Sequence, residues 1–97
     1  MPTYVSLINW TEKGAAGFKD TVARAEAANG LAAGFGGALK EIYWTLGPYD
    51  IVVVSEAPDD ESATAFALTL AAQGNVRTTT MRAFDSDEMK GIIAKTP

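Results

Sequence analysis

The chain opens on a short apolar run, TYVSLIN over Thr3 to Asn9, rich in β-branched and aromatic residues. Tyr4, Ser6, Ile8 and Trp10 alternate with Thr3, Val5 and Leu7, and both sets are substantially apolar, which predicts a strand covered on both faces. From Thr11 the period lengthens. Thr11 suits a helix N-cap, Glu12 falls in the first turn, and Phe18, Val22, Ala25 and Ala28 or Asn29 recur at steps of three and four. Gly14, Gly17 and Gly30 each cost about 1 kcal/mol relative to alanine inside a helix, and Asp20-Thr21 suits an internal cap, so a break near Asp20 is expected. Gly34, Gly36 and Gly37 supply left-handed positions to end the helix.

Strand character returns in ALKEIYWTL, Ala38 to Leu46, and in YDIVVVSE, Tyr49 to Glu56, with Leu46-Gly47-Pro48-Tyr49 as the turn of a hairpin. Pro58 followed by Asp59, Asp60 and Glu61 marks a helix start, and Phe66, Leu68 and Leu70 lie in the alanine-rich helix that Gly74-Asn75 closes. VRTTTMRAF, Val76 to Phe84, reads as a fourth strand. Asp85-Ser86 with Glu88 reads as a capping box for a short terminal helix through Met89, Ile92 and Ile93.

The order β-α-β-β-α-β with a short C-terminal helix is the ferredoxin-like α+β arrangement, a four-stranded antiparallel sheet with two helices on one face. Ile51/Val53 and Val52/Val54 are apolar on both faces, as the first strand is, so the helix-free face also calls for cover. The same face of a second subunit supplies it, giving a dimeric α+β barrel, a homodimer or a higher homo-oligomer.

A chain of 97 residues holds one domain, residues 1–97, because a second core needs roughly another 100. With no histidine and no cysteine, His-based triads, thiolate nucleophiles, disulfides and the usual zinc or copper sites are excluded. Net charge is −4 with no Lys/Arg cluster, which argues against nucleic acid. The N-terminus lacks a basic n-region and no apolar run approaches 18 residues, so neither a leader nor a membrane span is expected, and the cytoplasm is the expected location. No cofactor or metal is expected. Gly30, Gly34, Gly36 and Gly37 close a helix where a phosphate loop must open one, and the acids at 59–61 and 85–88 are explained by helix capping.

The segments PTYVSLINWT, YWTLGPYDIVVVSE, EAPDDE and GNVRTTTMRAF together resemble the GYD domain family, over Pro2 to about Ile93. The chain departs from that family's pattern at Asp20-Thr21-Val22-Ala23-Arg24, where a Ser-Pro helix start is common. The resemblance implies a small dimeric α+β barrel, a group that includes monooxygenases, isomerases, decarboxylase-like enzymes and plain ligand-binding modules. It selects no reaction.

Asp50, in the namesake hairpin, either accepts bonds from turn amides or stands as a carboxylate at a pocket mouth, where burial raises its pKa toward use in proton transfer. Arg82 shares a strand face with Thr78 and Thr80, a row of donors with a cation that suits a carboxylate or phosphate; alternatively it pairs with Asp50 or Glu41. Tyr43, on one face with Glu41 and Thr45, is the best neutral acid. Ser6, Trp10, Thr45, Tyr49, Thr78 and Thr80 complete the candidate ligand-binding set, while Trp10 and Trp44 also fit as core or dimer contacts. Three functions follow as expectations. The first is a homo-oligomeric module binding a small apolar or anionic molecule. The second is a cofactor-free enzyme using Asp50, Tyr43 and Arg82, and the third a purely structural or interaction module.

Overall fold

The computed structural model describes all 97 residues. Strand β1 (Thr3–Trp10) is followed by helix α1 (Glu12–Ala16), a 3-10 turn (Phe18–Asp20), helix α2 (Thr21–Gly34), strands β2 (Ala38–Trp44) and β3 (Ile51–Glu56), helix α3 (Asp60–Ala72), strand β4 (Val76–Ala83) and helix α4 (Ser86–Ile93). The strands form one antiparallel sheet in the order β2-β3-β1-β4, the expected ferredoxin-like topology. No helix is long and apolar enough to cross a membrane.

Register assigns the faces. Ile8 lies opposite Ile51 on β3 and Thr78 on β4, Ser6 opposite Val53 and Thr80, and Tyr4 opposite Ser55 and Arg82, so these positions share the face that α2 and α3 cover. Alternation alone would put Leu39 and Ile42 on opposite sides of β2. A bulge between Leu39 and Glu41 inserts Lys40, and both apolar side chains then reach the helix side. Ile8, Ile51 and Val53 form the buried nucleus there, packed by Trp10, Leu39, Ile42 and Val76. Burial is sparse: seven residues of the chain are buried, and of these the helices contribute only Gly14 and Ala32.

The opposite face has no cover within the chain. Val5 lies between Val54 and Met81, and Leu7 between Val52 and Thr79; Tyr43 flanks Val52. Val5, Leu7, Val52 and Val54 are half-buried, while Tyr43 and Met81 are exposed. An apolar sheet face therefore meets water.

The first helix is broken as expected, but not by an Asp20 cap, because the Asp20 side chain makes no capping bond. Instead α1 is tied down at its start: Thr11 Oγ1 accepts from Gly14 N at 3.2 Å and donates to Gly74 O at 2.6 Å, and Thr11 N donates to Asn75 O at 3.1 Å. The chain then re-aims through the 3-10 turn, leaving Phe18 and Val22 exposed, against the apolar stripe expected for them, while Ala25, Ala28 and Ala32 face the sheet. Leu68 likewise points out from α3. Of the three glycines expected to be left-handed after α2, only Gly36 is, at φ +79°; Gly37 is required by closeness, since a Cβ there would stand 2.2 Å from Glu56 O. Asp85 and Glu88 form the expected capping box of α4.

Gly14 and Gly30 separate two roles that the sequence gives alike. A Cβ on Gly14 would fall 1.9 Å from Asn75 O, whereas one on Gly30 would meet nothing within 4 Å. Gly14→Ala is expected to destabilise the fold by on the order of 1–3 kcal/mol and Gly30→Ala to stabilise it by about 0.5–1 kcal/mol, read by urea denaturation. Equal effects of the two changes would contradict the α1 docking described.

Candidate functional site

Small residues face small residues between β4 and α3, and this leaves a cleft. Ala28 and Ala32 of α2, Ala63 and Ala67 of α3, and the hydroxyl-bearing positions Thr78 and Thr80 of β4 do not fill the space between sheet and helices. The inner part, floored by Ile8 and Val53 and walled by Phe35, Phe66 and Leu70, holds a void of about 100 Å³. Phe35, just past the end of α2, and Phe66 of α3 meet edge to face at 6.2 Å and 68° and roof it. A wider hollow of about 360 Å³ lies along the β4–α3 edge and shares Tyr4, Ala63, Ala67, Thr78 and Thr80 with the inner void.

The shared edge is polar. Ser6 and Thr80 hydroxyls lie 2.9 Å apart, and Thr80 Oγ1 donates to Thr78 Oγ1 at 3.4 Å. Tyr4 is buried and its hydroxyl donates to Asp60 Oδ1 at 2.5 Å. Asp60 stands in the first turn of α3, where the helix N-terminus favours a carboxylate, and the preceding Asp59 caps the helix by accepting from Ser62 N at 2.7 Å. That bond holds the Asp59 carboxyl below its usual range. Arg82 Nη1 donates to the carbonyls of Thr3 and Ala83, and Nη2 to Glu88 Oε2 at 3.3 Å. Its guanidinium sits 4.5 Å from the centre of the Phe84 ring and 5.8 Å from that of Tyr4.

Ser6, Thr78, Thr80 and Arg82 thus meet at one edge of the cleft, and Trp10 lines its far end. The other candidate residues lie elsewhere. Asp50 is in the β2–β3 loop, outside the strand in which it was expected. Its Oδ2 accepts from Trp10 N at 2.9 Å and its carbonyl from Thr45 N at 2.8 Å, so it closes the end of the sheet. Thr45 Oγ1 donates to the Tyr49 carbonyl at 2.6 Å, and both residues belong to that loop and not to the cleft lining. Tyr43 is on the helix-free face, 59% exposed, with its hydroxyl 3.3 Å from Glu41.

Asp50, Tyr43 and Arg82 therefore form no common centre. Asp50 bonds at Trp10 whereas Arg82 pairs with Tyr4, six residues and about 20 Å away along β1, and Tyr43 points from the other side of the sheet. Arg82 takes Glu88 as its ion partner, in place of the expected Asp50 or Glu41. Tyr4, Asp60 and Phe66 are the cleft residues that the sequence reading missed as site residues. The alignment of β1 with β4 would have revealed Tyr4, since it sets Tyr4 beside Arg82.

Burial, followed by the hydrogen bond to Asp60, raises the Tyr4 phenol from 10.0 to about 12. The folded chain keeps this proton where the unfolded chain releases it, so the associated stability is present below pH 10 and is lost as pH rises toward 12. The denaturation midpoint is expected to fall across that window, and Tyr4→Phe to flatten the fall. Titration of Tyr4 by ultraviolet absorbance at its ordinary pH in the folded protein would contradict its burial against Asp60.

The GYD domain family model matches residues 4–93. The chain is 37% identical over 84 residues to the glutamine synthetase and cystathionine beta-lyase binding protein of Thermus thermophilus, covering 86% of this chain and 88% of that one. The crystal structure of TTHA0845, also from Thermus thermophilus, superimposes with a TM-score of 0.55 at 26% identity, over 89% of this chain and 96% of that one. The crystal structure of FFRP-DM1 gives a TM-score of 0.62 at 22% identity, over 87% and 100%, and so shares the fold. The motifs, the βαββαβ sheet and the match across 4–93 agree: the chain belongs to the GYD domain family.

Proposed function

We propose that this protein is a homodimeric interaction module, in which two sheets meet through their helix-free faces and the outward helix layers engage a partner enzyme. The observation that carries the reading is the apolar face of Val5, Leu7, Val52, Val54 and Met81, which nothing in the chain covers. Water against such a face is unfavourable in proportion to its area. Pairing through this face joins two sheets by a twofold axis and leaves α2 and α3 outside.

The enzyme partner is suggested by the Thermus thermophilus relative, whose name records binding to glutamine synthetase and cystathionine beta-lyase. With net charge −4 and no basic cluster, the module favours a protein partner over nucleic acid. We infer that it acts in the cytoplasm, a compartment with which a cysteine-free chain is compatible. A second reading is favoured by the cleft: an apolar-lined void beside a row of hydroxyls has the composition of a small-molecule site. The dimer uses the helix-free face and the cleft lies on the other, so the two are compatible.

Light scattering on the eluting protein at micromolar concentration is expected to give twice the 10.2 kDa chain mass, and Leu7→Glu to give the monomer with its circular dichroism retained. A wild-type monomer would overturn the dimer. Glutamine synthetase and cystathionine beta-lyase from the same organism are the partners to test by surface plasmon resonance. Saturable binding to one of them is expected, and binding to neither would overturn the enzyme-partner reading while leaving the dimer standing.

A further inference from the structure

We propose that the cleft takes a small uncharged amphiphile, an alcohol or amide whose apolar body enters between sheet and helices while its polar head rests on the hydroxyls of Ser6, Thr78 and Thr80. This rests on the small-molecule reading of the cleft and narrows it to one chemical class.

The body is set by the inner void. At about 100 Å³, floored by Ile8 and Val53 and roofed by Phe35 and Phe66, it is somewhat smaller than the roughly 150 Å³ apolar cavity that accepts benzene. The void suits a body no larger than a six-carbon ring, with its head group at the edge where Thr78 and Thr80 line both the void and the wider hollow and Ser6 lies beside Thr80. The head is set by what lines the edge. Each hydroxyl carries one donor and two acceptor sites, and the two contacts linking Ser6, Thr80 and Thr78 consume a minority of that capacity. A group that both donates and accepts is matched there.

Charge then selects against ions. Arg82 is the cation expected to hold an anion, yet its guanidinium is already bonded to two backbone carbonyls and Glu88 and lies against the Phe84 ring. An incoming carboxylate would compete with Glu88 for the guanidinium and would face Asp60 across the same hollow. An ammonium would meet Arg82, which also lines the hollow. One carboxylate and one guanidinium share this lining, so neither sign of head group gains a net local field, and either would surrender hydration on entry. An alcohol surrenders far less and is repaid by hydroxyl partners.

The test is a titration of the ¹⁵N-labelled full-length protein, followed by amide shifts, with benzyl alcohol, benzoate and benzylamine, which share one ring and differ in charge. Saturable shifts at Ser6, Ala67, Thr78 and Thr80 are expected with benzyl alcohol, and at least tenfold weaker binding with the two ions. Thr80→Val, which removes the hydroxyl and keeps the shape, is expected to weaken benzyl alcohol about five- to tenfold. Ala67→Leu, which fills the cleft from α3, is expected to abolish binding while the chain keeps its solution mass. If benzoate or benzylamine binds as tightly as the alcohol, or if Thr80→Val changes nothing, the uncharged-amphiphile proposal is overturned and the cleft survives as a site of another kind. If none of the three produces saturable shifts, the small-molecule reading falls with it.

Discussion

Everything in this molecule turns on a single layer of four strands that is apolar on both sides and covered by its own chain on one. Antiparallel sheets ordinarily resolve this conflict by alternating polar and apolar residues, so that one face is wet. Here β1 and β3, the two central strands, do not alternate: Ile8, Ile51 and Val53 face the helices, and Val5, Leu7, Val52 and Val54 face away. The outer strands β2 and β4 are more polar, with Glu41, Arg77 and Thr79 around the rim of the helix-free face. An apolar centre with a mixed margin, in which Tyr43 and Met81 stand beside those polar residues, supports the proposed pairing of two sheets.

The helix side shows the complementary economy. Alanines from α2 and α3 bring the helices close without filling the layer, and buried side chains are few. The remaining anchoring comes from side-chain hydrogen bonds at the sheet ends. Asp50 ties the β2–β3 loop to Trp10, Thr11 ties α1 to the loop before β4, and Tyr4–Asp60 ties the start of α3 to the first strand. The cleft is thus held open by its frame, and its polar edge is built from side chains whose neighbours are strand partners rather than sequence neighbours.

That contrast explains how much was legible in the sequence. Element order, the hairpin, the capping box at Asp85 and the doubly apolar central strands depend on local residue pattern, and the fold follows them closely. Strand register does not depend on local pattern. The bulge at Lys40 that turns Leu39 and Ile42 to one side, and the alignment that sets Tyr4 beside Arg82, are consequences of cross-strand pairing. For the same reason face alternation is enough to place Thr78 and Thr80 beside Arg82, whereas it cannot tell that the sheet separates Asp50 and Tyr43 from Arg82. Phe18 and Val22 fit a helical stripe in spacing, but the glycine-rich start of the helix re-aims the chain and turns them outward.

Whether a second copy covers the helix-free face is tested at the side chains themselves by an isotope-filtered nuclear Overhauser experiment. In a sample mixing ¹³C-labelled and unlabelled chains, the account predicts intermolecular contacts among the methyl groups of Leu7, Val52, Val54 and Met81. Absence of those contacts, together with quenching of the same methyl signals by a paramagnetic agent dissolved in the water, would contradict it.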